Sequence, residues 1–310
     1  ISQLNIQERE QAIEHIQQAD RRQGFDLTRP GLLRIIVIKQ SEEHYTVLKS
    51  EHHSIGDGWS TPVLFNAVHE YYNLLVEGKT PEIKVDTAYL ATQAFYQVQK
   101  EDTEAYWSDR RGRYPVANDL ASMLTHRMDL GQVKAVDEPA EQRLVISGDA
   151  YTTLKGMCQR EGITLNVATQ FAWHKLIQSF SADRQTVVGT TVSGRDVPVE
   201  GIEASVGLYI NTLPLMVDWS NDKQSVREIL KAIQQDIAAL NTHSAASLAS
   251  LQRDGERLFH SLFVFENYPM PSGDSEAEGI ERSLVPRAGI EKVDYPLSVT
   301  VFEDNEGLVI

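Results

Sequence analysis

The chain has 310 residues, 41% of them hydrophobic and 24% charged, enough for a large buried core and, at ordinary domain size, for two lobes. Its net charge of -15 argues against nonspecific adhesion to nucleic acid or acidic membrane, and no apolar stretch approaches the roughly 20 residues that cross a bilayer. A single cysteine excludes an internal disulfide framework and fits a reducing cytoplasm; the start, Ile1-Ser2-Gln3-Leu4-Asn5, has neither the basic region nor the apolar run of a signal peptide. The basic cluster Arg110, Arg111 and Arg113 reads as a solvated helix end, although the net charge leaves room for a local patch facing a phosphorylated partner.

In chain order, residues 6–19 have helical periodicity, with Ile6, Ile13 and Ile16 among the apolar positions. Pro30-Gly31 marks a turn before a strand from Leu32 to Ile38. A polar turn over Gln40–Glu43 joins it to an antiparallel neighbour, His44–Lys49. Beyond the loop that follows, Ser60 is placed to cap a helix with Pro62 in its first turn, and Val63, Leu64, Ala67, Val68, Tyr71, Leu74 and Leu75 form its apolar face. A helical region covers 88–110. The weakly periodic stretch from Tyr114 to Glu141 reads as a crossover or lobe boundary, and a strand at 143–147 opens a second α/β unit. Helices follow near 149–161 and 165–180, then strands at Thr186–Val192 and Val206–Val217 and a helix over about 224–241. Strands at Leu262–Phe265 and Leu297–Phe302 flank a polar, acidic surface loop at 269–282, expected to be mobile.

Chemistry concentrates in the segment from His52 to Gly58, which begins where a strand ends, a setting in which a rigid sheet holds a loop. Adjacent residues on an extended backbone point opposite ways, so one imidazole can face a cleft while the other packs inward; His53 is the expected exposed ring. Neutral imidazole can accept a proton or orient an attacking amine near neutral pH. Asp57 can lend electrostatic support without a direct bond to His53, and Gly58 permits an awkward turn and close substrate approach. His52 and His53 are poorly spaced for two metal ligands on one helix, and no cysteine pair or HExxH pattern supplies the remainder, so no metal is expected. Cys158 fits core packing better than covalent catalysis, and no GxSxG elbow supports a serine esterase.

The segment Glu51–Ser60 resembles the HHxxxDGWS segment of nonribosomal peptide synthetase condensation domains, members of the chloramphenicol-acetyltransferase-like superfamily. Three further stretches resemble that family in the same order: Phe25–Arg34, Val206–Leu215 and Leu258–Pro269, with a weak YxDFAxW-like segment around Tyr89–Tyr96. The family's early SxAQxR and RHExLR-like segments have no clear counterpart ahead of Phe25, nor its closing helical portion after Ile310, so the resemblance implies a domain incomplete at both ends.

The resemblance implies an α/β pseudo-dimer of two such lobes, residues 1–125 and 126–310, around a central substrate tunnel. It implies that the amine of an acceptor aminoacyl thioester attacks a donor aminoacyl or peptidyl thioester. Both would ride on the 4'-phosphopantetheine arms of upstream and downstream peptidyl carrier proteins, beside an adenylation domain, in the cytoplasm, with no intrinsic cofactor. His53 matches the principal active-site residue, acting as base or by positioning the amine. His52, Asp57, Gly58 and Arg195 look like its support, Arg195 from Val192-Ser193-Gly194-Arg195-Asp196 pairing with Asp57. Without the resemblance, Arg195 would read as a surface arginine in a turn. Trp59 and Ser60 would shape the tunnel, and Ser60 after Trp59 leans toward an L-donor, L-acceptor subtype. Asn211 fits either a tunnel residue or a strand-to-loop structural hydrogen bond. The alternatives are a related standalone O- or N-acyltransferase and a catalytically degenerate carrier-docking domain. Epimerization and heterocyclization are less favoured, the latter because both histidines are retained.

Overall fold

Asn5 opens the first helix, α1 (Ile6–Gln23), with a reciprocal cap: its side chain accepts from the Glu8 amide while the Glu8 carboxylate accepts from the Asn5 amide. The helix runs one turn beyond the expected residue 19 and stops at Gly24, whose φ of 61° is left-handed. Strands β1 (Leu33–Lys39) and β2 (Tyr45–Glu51) form a two-stranded antiparallel sheet with Leu33 opposite Glu51 and Val37 opposite Val47. Helix α2 (Ser60–Val76) follows the loop. This computed structural model describes all residues except 115–116, 125, 127, 134, 137–138, 253–255, 268–286, 288 and 290–291. The loop expected at 269–282 therefore lies outside the described residues.

The chain forms two compact units, 1–84 with 204–208, and 85–203 with 209–310. The first break between these units falls at 84/85. The expected helix 88–110 is two, α3 (Ala88–Val98) and α4 (Lys100–Arg111), meeting at Gln99. Trp107 of α4 is buried in the core of the second unit and its indole N–H donates to the His243 carbonyl at 3.0 Å. Asn118 ties the crossover down: its amide donates to Asp183 Oδ2 and the Gln185 carbonyl at 2.7 and 2.8 Å, and its Oδ1 accepts from the Val187 amide.

The second unit continues with β3 (Val145–Ser147), α5 (Gly148–Glu161), α6 (Leu165–Ser181), β4 (Gln185–Val192), β5 (Asn211–Asp218), α7 (Val226–Thr242), α8 (Leu248–Leu251), β6 (Ser261–Glu266), β7 (Leu297–Glu303) and β8 (Gly307–Val309). The strands form one sheet in the order β3-β8-β7-β6-β4-β5, parallel at β4–β6 and β6–β7 and antiparallel elsewhere. Strand β5 begins at Asn211, five residues later than expected, because 204–208 belongs to the other unit. Strand β8 was not anticipated. Val187 and Val188, Leu213 and Leu215, Phe263, Val301 and Leu308 line the core beneath Val167 and Ile177 of α6 and Ile233 and Leu240 of α7. Gly189 leaves room for the Phe259 ring, which would lie 2.1 Å from any added Cβ.

Candidate active site

Strand β2 hands the chain to the loop through one more backbone bond, from the His52 amide to the Leu32 carbonyl at 2.9 Å. His52 keeps extended dihedrals, φ -85° and ψ 134°, and caps a 3-10 turn, His53–Ile55, its Nδ1 accepting from the Ser54 amide at 3.2 Å. The Ser54 hydroxyl meets the same nitrogen at 2.9 Å. His53 heads that turn and is exposed, whereas His52 is half-buried. The two rings differ because one sits on extended backbone and the next on helical backbone; strand alternation does not extend to His53.

Asp57 is buried, and its Oδ1 accepts from the Ser60 amide at 3.0 Å and the Ser60 hydroxyl at 2.8 Å. The carboxylate therefore works at the start of α2, where helix amides lack partners and negative charge is favoured. Ser60 is the first residue of the helix, not its cap, and is buried at 2% exposure. Its Oγ instead joins Asp57 to the Gly207 peptide, 3.0 Å from the Gly207 carbonyl and accepting from the Gly207 amide at 3.1 Å. Gly58 lies in the turn that leads into α2 and is not among the glycines with positive φ. Trp59 is half-buried at the helix entrance, with helical φ and ψ of -65° and -32°.

In the second unit Arg195 is buried, which overturns the surface-turn alternative. Its Nη1 donates to the Ile202 carbonyl at 2.6 Å and its guanidinium lies 4.0 Å from the centre of the Tyr209 ring. Gly194 makes this approach possible: at φ 64°, an added Cβ would lie 2.0 Å from the Tyr209 carbonyl oxygen. The Tyr96 hydroxyl donates to the Gly194 carbonyl at 2.9 Å, and burial holds that phenol's pKa above its ordinary value. Asn211 takes the structural alternative. Both amide hydrogens are used, toward the Ser244 and Ala246 carbonyls at 2.7 and 2.6 Å, while its Oδ1 accepts from the Thr212 amide.

Sequence reasoning missed Tyr96, Gly194 and Tyr209 around Arg195, and Phe25, whose ring stands edge-on to His52 at 6.4 Å. The one available signal was the glycine beside the arginine. Among the described residues no group of three or more His, Cys, Asp or Glu side chains is placed to hold a metal ion, and no helix is long and apolar enough to cross a membrane. Cys158 is buried in the core, where burial raises its thiol pKa.

The family profile described as "Condensation domain" matches residues 1–310. This chain belongs to the condensation-domain family. It is 37% identical over 314 residues to N-(5-amino-5-carboxypentanoyl)-L-cysteinyl-D-valine synthase of Amycolatopsis lactamdurans, a match that covers 98% of this chain and 9% of that protein. Gramicidin S synthase 2 of Brevibacillus brevis is 30% identical, with 99% of this chain and 7% of that protein covered. The condensation domain thus spans less than a tenth of the length of these curated relatives. Among solved structures it is similar to the first condensation domain of the calcium-dependent antibiotic synthetase, at TM-score 0.66 and 18% identity over 96% of this chain and 67% of that one. It is also similar to the X-domain from teicoplanin biosynthesis, at TM-score 0.71 and 18% identity over 93% and 68%. The mixed α/β fold expected from the sequence is the fold of these domains. Condensation domains are acyltransferases of nonribosomal peptide synthesis. They form an amide bond between a donor acyl group and the amine of an acceptor, both carried on phosphopantetheine arms, and hold no cofactor of their own.

Proposed function

We propose that this condensation domain joins a donor aminoacyl or peptidyl thioester to the amine of an acceptor aminoacyl thioester, with His53 acting on that amine. The observation that carries the reading is the division of labour in the loop. His52 caps the turn and Asp57 and Ser60 hold the start of α2, while His53 presents an exposed ring at the head of the turn. A free α-amine has a reference pKa near 8, so much of it must lose a proton before attack at neutral pH, and an imidazole can take that proton or orient the amine. Attack breaks the donor thioester, releases its thiol and leaves the lengthened chain on the acceptor arm. The same reading carries forward Arg195 as active-site support, and Trp59 and Gly58 as residues near the substrates.

The partners under this proposal are an upstream and a downstream peptidyl carrier protein and a neighbouring adenylation domain, in the cytoplasm. The test supplies donor and acceptor carriers chemically loaded with L-amino acids and reads product by mass. His53→Ala is expected to lower the rate by about 10²–10⁴-fold with folding retained. Carrier binding without acyl transfer by the unaltered domain would overturn the enzymatic reading in favour of a docking module.

A further inference from the structure

Upstream of the two histidines the first unit holds a set of contacts that end on the His52 ring. Asp20, buried on α1, faces Arg34 of β1 across a 2.7 Å ion pair between Oδ1 and Nε. Each of the other two guanidinium nitrogens also donates: Nη2 to the Asp20 carbonyl at 2.9 Å and Nη1 to the Gly24 carbonyl at 2.6 Å, at the end of α1. The Asp20 carboxyl is held below the usual range, first by its hydrogen bond with Arg34 and, against the cost of burial, also by Ser50. Ser50 stands opposite Arg34 in the β1–β2 register, two residues before His52.

The guanidinium then lies 4.0 Å from the centre of the Phe25 ring, and Phe25 meets His52 edge-on at 77°. A cation fixed over one aromatic face limits where that ring can lie. The Phe25 ring in turn limits where the His52 imidazole can turn. The ring direction of His52 matters, because its Nδ1 must point at the Ser54 amide to cap the turn that begins at His53. The order of contacts is therefore Asp20, Arg34, Phe25, His52, then the turn that presents His53.

We infer that Arg34 and Phe25 are positioning residues for condensation: the Asp20–Arg34 pair clamps Phe25 against His52, and so sets the cap that aims His53. This rests on the proposed role of His53 and extends it to residues that touch no substrate. A lysine at position 34 keeps the charge but not the planar three-way fork, so it loosens the clamp while leaving the buried carboxylate a cation. Phe25→Leu leaves the ion pair intact and removes only the aromatic edge.

The test compares the unaltered chain with Arg34→Lys, Phe25→Leu and Phe25→Tyr, each checked for an unchanged melting profile. Two readouts are taken. The first is the imidazole nitrogen NMR spectrum of His52, in which Nδ1 of the unaltered chain is expected to show the signal of an unprotonated, hydrogen-bond-accepting nitrogen. The second is the rate of amide formation from N-acetylcysteamine thioesters of L-amino acids, offered as a mixture and read by mass. Arg34→Lys and Phe25→Leu should move the His52 signal toward a mixture of tautomers and lower kcat by about tenfold with KM unchanged, within the penalty expected of a misplaced catalytic group. Phe25→Tyr should restore both. Unchanged nitrogen signals and an unchanged kcat in Arg34→Lys and Phe25→Leu would overturn the inference. If the unaltered chain forms no amide bond, the proposed function fails, and the nitrogen spectra alone still decide whether the clamp sets His52.

Discussion

Within strands β1 and β2 only Ile38 is buried, and Leu33, Ile35, Val37, Tyr45 and Val47 are exposed, whereas β4 of the six-stranded sheet is closed off on both faces. A two-stranded sheet is marginal in water without further packing. The loop that leaves the hairpin is accordingly fixed by directional contacts: the Asp20–Arg34 pair, the His52 cap and the Asp57–Ser60 bonds. The larger sheet relies on apolar volume, with Val187, Val188, Leu213, Leu215, Phe263 and Val301 at 2% exposure or less. The difference teaches that aim and resilience are supplied separately. Hydrogen bonds place a ring to within tenths of an ångström but are individually cheap to lose, while interdigitated side chains resist unfolding and say little about a loop.

That contrast can be broken in several ways. The largest effect is expected from Phe263→Ala, which should cost the second unit about 3–5 kcal/mol by transfer and cavity terms. Denaturant unfolding reads it through Trp173, whose indole donates to Ser261 beside the deleted ring; a loss below about 1 kcal/mol would show that the sheet does not depend on packing as argued. Asp57→Ala comes next, at about 2 kcal/mol, because the Ser60 amide and hydroxyl lose a buried acceptor. Hydrogen exchange at the Ser60 amide should speed up, and Asp57→Asn should recover part of the loss.

The third test uses pH. His174 is fully buried, its Nδ1 2.8 Å from the Thr186 hydroxyl, and that hydroxyl accepts from the Trp219 indole at 3.0 Å. Burial pushes the imidazole pKa down to about 3 from 6.5. Between those values the unfolded chain binds a proton that the native chain refuses. Stability is thus full above pH 6.5 and falls as pH drops, by up to about 1.4 kcal/mol per pH unit. Unfolding measured at pH 7, 6 and 5 should show a shallower slope in His174→Gln. The smallest effect is expected at Ser225, which caps α7 in a reciprocal pair with Glu228; Ser225→Ala should cost about 1 kcal/mol, read by thermal unfolding.

Local pattern made much of this legible. Helical spacing placed α1, α2, α6 and α7, and β-branched runs placed β1, β4 and β7. The His52–His53 loop stood out because it begins where an alternating strand stops. Long-range partners escaped. Ser60 has the local marks of a helix cap, yet its hydroxyl binds a peptide group 147 residues away. Trp107 and Asn118 read as a boundary region because the groups that bury them, His243 and Asp183, are distant in sequence. Arg195 read as exposed without the family resemblance, since nothing local announces that Tyr209 will lie under its guanidinium. Side chains whose partners are their own neighbours can be read; those whose partners arrive through the tertiary fold cannot.

The five residues 204–208 count with the first unit although chain on both sides of them belongs to the second. Neither unit is therefore a continuous stretch, and no single cut yields both whole. A fragment severed at 84/85 would keep Ser60 but forfeit the Gly207 peptide that its hydroxyl engages. Recombining condensation domains by swapping everything before residue 85 would seat a foreign 204–208 beside that hydroxyl, so a chimaera should carry this short insert with the half it serves.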